Sequence, residues 1–118
     1  MAIVGSKVYT KIITLGGGEI YDVFPFDSFG NALNEVIIEI DSTLGSPTIN
    51  LPTISSFNQV YNTSITIVGN TGLTNVVGIK AFSGETIGGQ SDVFLDNDYK
   101  AVKLTIATEN TWYGVVTA

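Results

Sequence analysis

The side chains that most often carry chemistry are scarce in this chain. Its 118 residues include no histidine and no cysteine, five basic residues, all of them lysine, and eleven carboxylates. Without imidazole the usual general base and the commonest transition-metal ligand are missing. Without thiols there is no cysteine nucleophile, no zinc-thiolate site and no disulfide. Serine and threonine are abundant, but a hydroxyl nucleophile needs an adjacent base to activate it. A few clusters still merit testing against specific chemistries. Gly16-Gly17-Gly18 resembles a phosphate cradle only superficially, because a P-loop needs a lysine and a helix start after its glycines. Here Glu19 and strand-type residues follow, so the triplet reads as a turn. Asp92, Asp96 and Asp98 with Asn97 offer hard oxygen ligands of the kind calcium takes, but the loop glycine and distal glutamate of an EF-hand are absent, and Asp and Asn are also ordinary turn residues. Glu35 and Glu39 could be weighed as the carboxylate pair of a glycosidase. On a strand they fall on one wet face with no cleft between them. Asn62-Thr63-Ser64 matches a glycosylation acceptor, which carries no weight without a secretory leader. Trp112-Tyr113, with Tyr99 and Tyr61, could form a stacking platform for a sugar. The alternative is that the Trp-Tyr pair closes a core or an interface. The expectation is a protein without catalytic residues, cofactor or metal.

The elements that would position any site read as strands throughout. Short β-branched runs alternate with period two between clusters of Gly, Asn, Asp and Pro. Lys7–Thr14, Glu19–Phe24, Glu35–Asp41, Val60–Val68, Asn75–Phe82 with Gly78 inside it, Asp92–Leu95, Ala101–Ala107 and Thr111–Thr117 are the expected strands, eight to nine in all, with no helix. Val36, Ile38 and Ile40 alternate with Glu35, Glu39 and Asp41, giving one dry and one wet face. Val102, Leu104 and Ile106 alternate with Lys103 and Thr105 in the same way. Those three, with Ile65, Ile67 and Trp112, are the expected core or oligomer face. Ser42–Ser56 contains two prolines, and proline cannot donate to a ladder, so this stretch is expected to be an edge or a connection. The piece between Ser83-Gly84 and Gly88-Gly89 reads as turn-like.

Composition adds a second line of inference. Apolar residues make up 44% of the chain and charged residues only 14%, against roughly 25% charged in ordinary soluble domains. So small a chain cannot easily hide that much apolar surface alone, which points to self-association. The net charge of −6 argues against nucleic acid, whose phosphates call for clustered lysine and arginine, and against anionic membrane surfaces. Met1–Lys7 lacks the basic start and apolar run of a signal peptide, and no run approaches the roughly 18 apolar residues of a membrane span. Synthesis in a cytosol is the expectation.

From about Thr48 to Val116 the chain resembles a β-rich module of phage and other viral fibres and spikes. The likeness lies in ordered short pieces: Leu51-Pro52, Ile65-Thr66-Ile67, Gly72 and Asn75 before a strand, and Gly84-Glu85-Thr86-Ile87-Gly88-Gly89. Tyr99 with Ala101-Val102-Lys103-Leu104 and then Asn110-Thr111-Trp112-Tyr113 complete it. Gly78 interrupts the alternation where the module would continue it, and residues 1 to 45 match no attachment region. The resemblance implies a homotrimer, a role in a virion as head fibre, capsid decoration or tail spike, contacts with other virion proteins through the N-terminal region, and contact with a host-surface glycan. The expected architecture is therefore all-β: a small sandwich- or barrel-like antiparallel module, intertwined or packed in a homotrimer, with an N-terminal segment at 1–45 and the fibre-like module at 46–118, or one continuous domain. A monomeric carbohydrate-binding β-sandwich using Trp112, Tyr113, Tyr99 or Tyr61 is the alternative.

Overall fold

A computed structural model of the protein describes residues 8–14, 20–24, 35–41, 45–57, 63–69, 75–96 and 101–117. Ten strands occupy most of them: β1 Val8–Thr14, β2 Ile20–Asp22, β3 Glu35–Asp41, β4 Thr48–Asn50, β5 Ser64–Gly69, β6 Val77–Lys80, β7 Thr86–Ile87, β8 Asp92–Leu95, β9 Ala101–Thr108 and β10 Thr111–Thr117. The only helical piece among the described residues is a 3-10 turn at Ile54–Phe57.

The first six strands alternate between two sheets. The larger sheet has the order β1-β3-β5-β9-β10-β7 and the smaller β2-β4-β6-β8. β1, β3 and β5 run parallel, as do β2, β4 and β6. Cα partners in neighbouring strands are 27 residues apart from Val8 to Glu35 and 29 from Glu35 to Ser64. In the smaller sheet the steps are 28 residues from Ile20 to Thr48 and 30 from Thr48 to Gly78. The chain therefore stacks rungs of near-constant length, each giving one strand to each sheet. Antiparallel pairing then takes over: β8 on β6, β9 on β5, and β10 on β9. The antiparallel expectation thus holds only for the C-terminal part, and both sheets are mixed. Alternation along a strand reports which faces are wet. It is the same for parallel and antiparallel neighbours, so it could not reveal the direction of pairing.

Buried residues of both sheets form one cluster. Val36, Ile65 and Leu104 lie side by side across β3, β5 and β9, and Ile38, Ile67 and Val102 form the adjacent row. The smaller sheet contributes Ile49, Val77, Ile79 and Leu95. Burying a side chain of this size is worth about 1.5–3 kcal/mol. Trp112 is fully buried and meets Phe57 of the 3-10 turn edge-on, with ring centroids 5.9 Å apart at 82°, a favoured aromatic geometry. Beside it Gly114 pairs with Leu104. A Cβ on Gly114 would stand 3.3 Å from both Ile87 Cγ2 and Leu104 Cδ2, so the missing side chain lets Ile87 of β7 lie close against the sheet.

Three local expectations need correction. Ser42–Ser56 contains a true strand, β4, which lies inside the smaller sheet between β2 and β6. Pro47 and Pro52 flank it, so neither removes a donor from Thr48–Asn50, and the Pro47 carbonyl accepts from Gly78 N–H at 3.0 Å. The turn-like piece after Gly84 contains β7, paired parallel to β10. Ile106 is only partly buried at the margin of the core.

Candidate functional site on the outer face of the smaller sheet

The residues of the smaller sheet that turn away from the core form cross-strand rows. Ile20, Thr48, Gly78 and Phe94 share one, and Asp22, Asn50, Lys80 and Asp92 share the other. Between them the inward row of Tyr21, Ile49, Ile79 and Val93 packs into or against the core. Ile20 and Phe94 are exposed. Gly78, which interrupts the sequence alternation, lies beside the Phe94 ring: a Cβ there would be 3.5 Å from Phe94 Cε1.

Backbone pairing continues beyond the strand ends. Val23 N–H donates to the Asn50 carbonyl at 3.0 Å and Leu51 N–H to the Lys80 carbonyl at 2.8 Å. This carries Pro52 and Phe82 onto the outer side just past the polar row. The result is a groove of about 620 Å³ whose walls include Ile20, Asp22, Asn50, Pro52, Lys80 and Phe82. Inside it the Asn50 side-chain amide donates to Asp22 Oδ1 at 3.0 Å. That leaves the second carboxylate oxygen and the amide oxygen as acceptors and the Lys80 ammonium as a donor, on strands spaced roughly 4.8 Å apart.

One rim of the groove is fixed by Glu85. Its carboxylate accepts from the Thr53 hydroxyl at 2.7 Å and from Ile54 N–H at 3.0 and 3.1 Å. Ile54 opens the 3-10 turn, so Glu85 satisfies a first-turn N–H that would otherwise lack an acceptor. Ser56 N–H and Oγ both donate to the Thr53 carbonyl. The loop that carries Pro52 and Thr53 is thereby held against the Gly84–Thr86 stretch.

The sequence candidates are scattered. Val102, Leu104, Ile65, Ile67 and Trp112 are core residues with at most 1% exposure. Trp112 is therefore not available as a sugar platform: neighbours on a strand point to opposite faces, and burial of Trp112 sends Tyr113 outward, where it is 60% exposed. Tyr61 and Tyr99 lie outside the described residues, as do Gly16–Gly18, Asn62, Asn97 and Asp98. Asp92 accepts from its neighbour Ser91 Oγ at 2.7 Å, and no cluster of three or more acidic ligands that could hold a metal occurs among the described residues. Glu35 and Glu39 sit half-buried on β3.

The groove residues Asp22, Asn50 and Lys80 were not apparent from the sequence. They are 28 and 30 residues apart, and only the rung repeat brings them side by side. No family model matches the chain, and no curated protein matches it. No helix among the described residues is long and apolar enough to cross a membrane.

Proposed function

We propose that the protein is a non-enzymatic structural component that works by homo-oligomeric assembly, as a head fibre, capsid decoration or tail spike piece of a phage virion. The observation that carries the assembly part is the apolar strip on β10. Tyr113 is 60%, Val115 49% and Val116 44% exposed, with half-buried Ile37 and Val68 on β3 and β5 of the same sheet. An exposed apolar strip on a chain with 14% charged residues is the kind of surface that a second copy covers. The strand order supports the proposed polarity. β1 and β2 begin the two sheet orders, and β7 and β8 end them. Attachment through the N-terminal region would leave the β7–β10 portion projecting. The phage setting rests on the resemblance of the Thr48–Val116 segment.

Light scattering after gel filtration at micromolar concentration tests the assembly. A trimer, or another closed oligomer of the 12.5 kDa chain, is the expected result, and Tyr113→Glu with Val115→Glu should dissociate it while leaving the circular dichroism of the folded chain. A clean monomer in the parent protein would overturn the reading.

A further inference from the structure

We infer that the groove on the outer face of the smaller sheet is a binding site for a neutral saccharide, held at the Asp22–Asn50–Lys80 row. The inference concerns a surface carried by one protomer and stands apart from the assembly reading. The groove's volume of about 620 Å³ falls in the roughly 300–1,000 Å³ range of small-ligand sites. Its polar groups form a single line. A carboxylate, an amide and an ammonium occupy adjacent strands in register, and the 3.0 Å hydrogen bond from Asn50 to Asp22 holds the first two in one orientation before any ligand arrives. Apolar surface borders that line on both sides, with Ile20 at 63% exposure on one flank and Phe82 at 51% beside Pro52 on the other.

A pyranose ring has the complementary shape: hydroxyls around its edge, each both donor and acceptor, and an apolar face of C–H groups. Acceptors on Asp22 and Asn50 and the donor on Lys80 suit hydroxyls, while Phe82 and Pro52 offer flat apolar surface to the ring face. Charge separates this class from others. Asp22 and Lys80 offset each other within the groove, and the chain carries −6 overall, so a phosphate or other anion would meet one ammonium beside one carboxylate. A purely apolar ligand would desolvate the polar line without satisfying it.

The test uses the parent protein labelled with nitrogen-15 and titrated separately with maltose, cellobiose, lactose, N,N′-diacetylchitobiose and inorganic phosphate to millimolar concentrations. Expected is saturable movement of amide signals from β2, β4 and β6 with at least one disaccharide. Phe82→Ser, at an exposed position past the end of β6, and Asn50→Ala should each weaken that binding at least tenfold. Tyr113→Ser, on the other sheet, should leave it unchanged. Melting curves identify any variant that has lost its fold, and Phe82→Ser then decides. The inference is overturned if none of the disaccharides moves these signals, if the movement maps to β10, if phosphate alone binds, or if Phe82→Ser binds as the parent does.

Discussion

The two sheets are threaded by the same chain in alternation, yet they divide the work between core and surface. Strands β3, β5, β9 and β10 of the larger sheet are six to eight residues long, long enough for each of β3, β5 and β9 to place two or three apolar side chains inward. The strands of the smaller sheet have three or four residues, and most commit one or two side chains to the core while the rest face out. Burial follows that difference. The inward rows of the larger sheet are formed by Val, Ile and Leu at 2% exposure or less, whereas the outward rows of the smaller one mix carboxylate, amide, ammonium and aromatic groups around a groove. A long strand with regular alternation specifies register strongly, because a slip by one residue would turn its whole apolar set to water. A three-residue strand has little such information of its own. β4 is placed by its neighbours and by the backbone bonds that prolong the pairing through Val23 and Leu51. The larger sheet fixes the rungs, and the smaller sheet is free to vary its outer face.

The sharpest way to break this comparison is to place a charge where the larger sheet is driest. Leu104 is fully buried between Ile65 and Gly114. Leu104→Asp would bury a carboxylate without a partner, at a cost of several kcal/mol, against a total stability of about 5–15 kcal/mol for a domain. The variant should lose its cooperative melt by circular dichroism and elute as expanded or aggregated material. Native elution would mean that this row does not close the core.

The smaller sheet gives the next largest effect. Ile49 is fully buried in the middle of the three-residue β4. If that short strand shares one core with the larger sheet, Ile49→Ala should cost about 2–5 kcal/mol and lower the melting temperature by on the order of 10 °C. A change within error would show that the smaller sheet covers the core without contributing to it, and would weaken the case for a rigid groove.

What the sequence could reveal follows the same division. The bounds of Glu35–Asp41, Asp92–Leu95 and Thr111–Thr117 match the strands β3, β8 and β10, since alternation flanked by turn residues is a local signal. β4 and β7 escaped because strands of two or three residues carry no measurable period, and their neighbours Pro47, Pro52, Gly84 and Gly88 look like loop. The parallel stacking escaped because it is a long-range property. Its trace in the sequence is the recurrence of Leu-Gly at Leu15-Gly16 and Leu44-Gly45, with the reversed Gly72-Leu73 a further 28–29 residues on. A search for internal periods would have raised it. The groove was illegible for the same reason. Asp22, Asn50 and Lys80 belong to three different rungs, and nothing local marks them as neighbours. Trp112 misleads from sequence because a Trp-Tyr pair looks the same whether the Trp faces the core or solvent.

A smaller effect is expected where the two sheets' loops meet. Glu85 accepts three hydrogen bonds from Thr53 and Ile54. Glu85→Ala should cost about 1–2 kcal/mol through the stranded donors, and Glu85→Gln, which keeps one acceptor oxygen, should cost less. Chemical denaturation of the three proteins measures the order. Equal losses in both variants would mean that the carboxylate's charge, and not its acceptor geometry, holds the loop.

The smallest effect should come from Lys103, one residue from the most damaging site. Its side chain is on the outer face of β9, in the row with Thr66 and Val115, and it is exposed. Lys103→Asp removes a cation from water and places an anion in water, so neither form pays a desolvation cost. Surface changes of this kind usually stay within about 0.5 kcal/mol. The midpoint of chemical denaturation should therefore move little, while Leu104→Asp under the same conditions has no folded baseline at all. The outer row also adjoins the apolar strip of β10, so gel filtration of Lys103→Asp reads a second quantity. Unchanged stability with a smaller apparent mass would place a subunit contact on this face of the larger sheet. Lost stability with Leu104→Asp left folded would mean that β9 is turned over, and the core rows assigned here would be the outer ones.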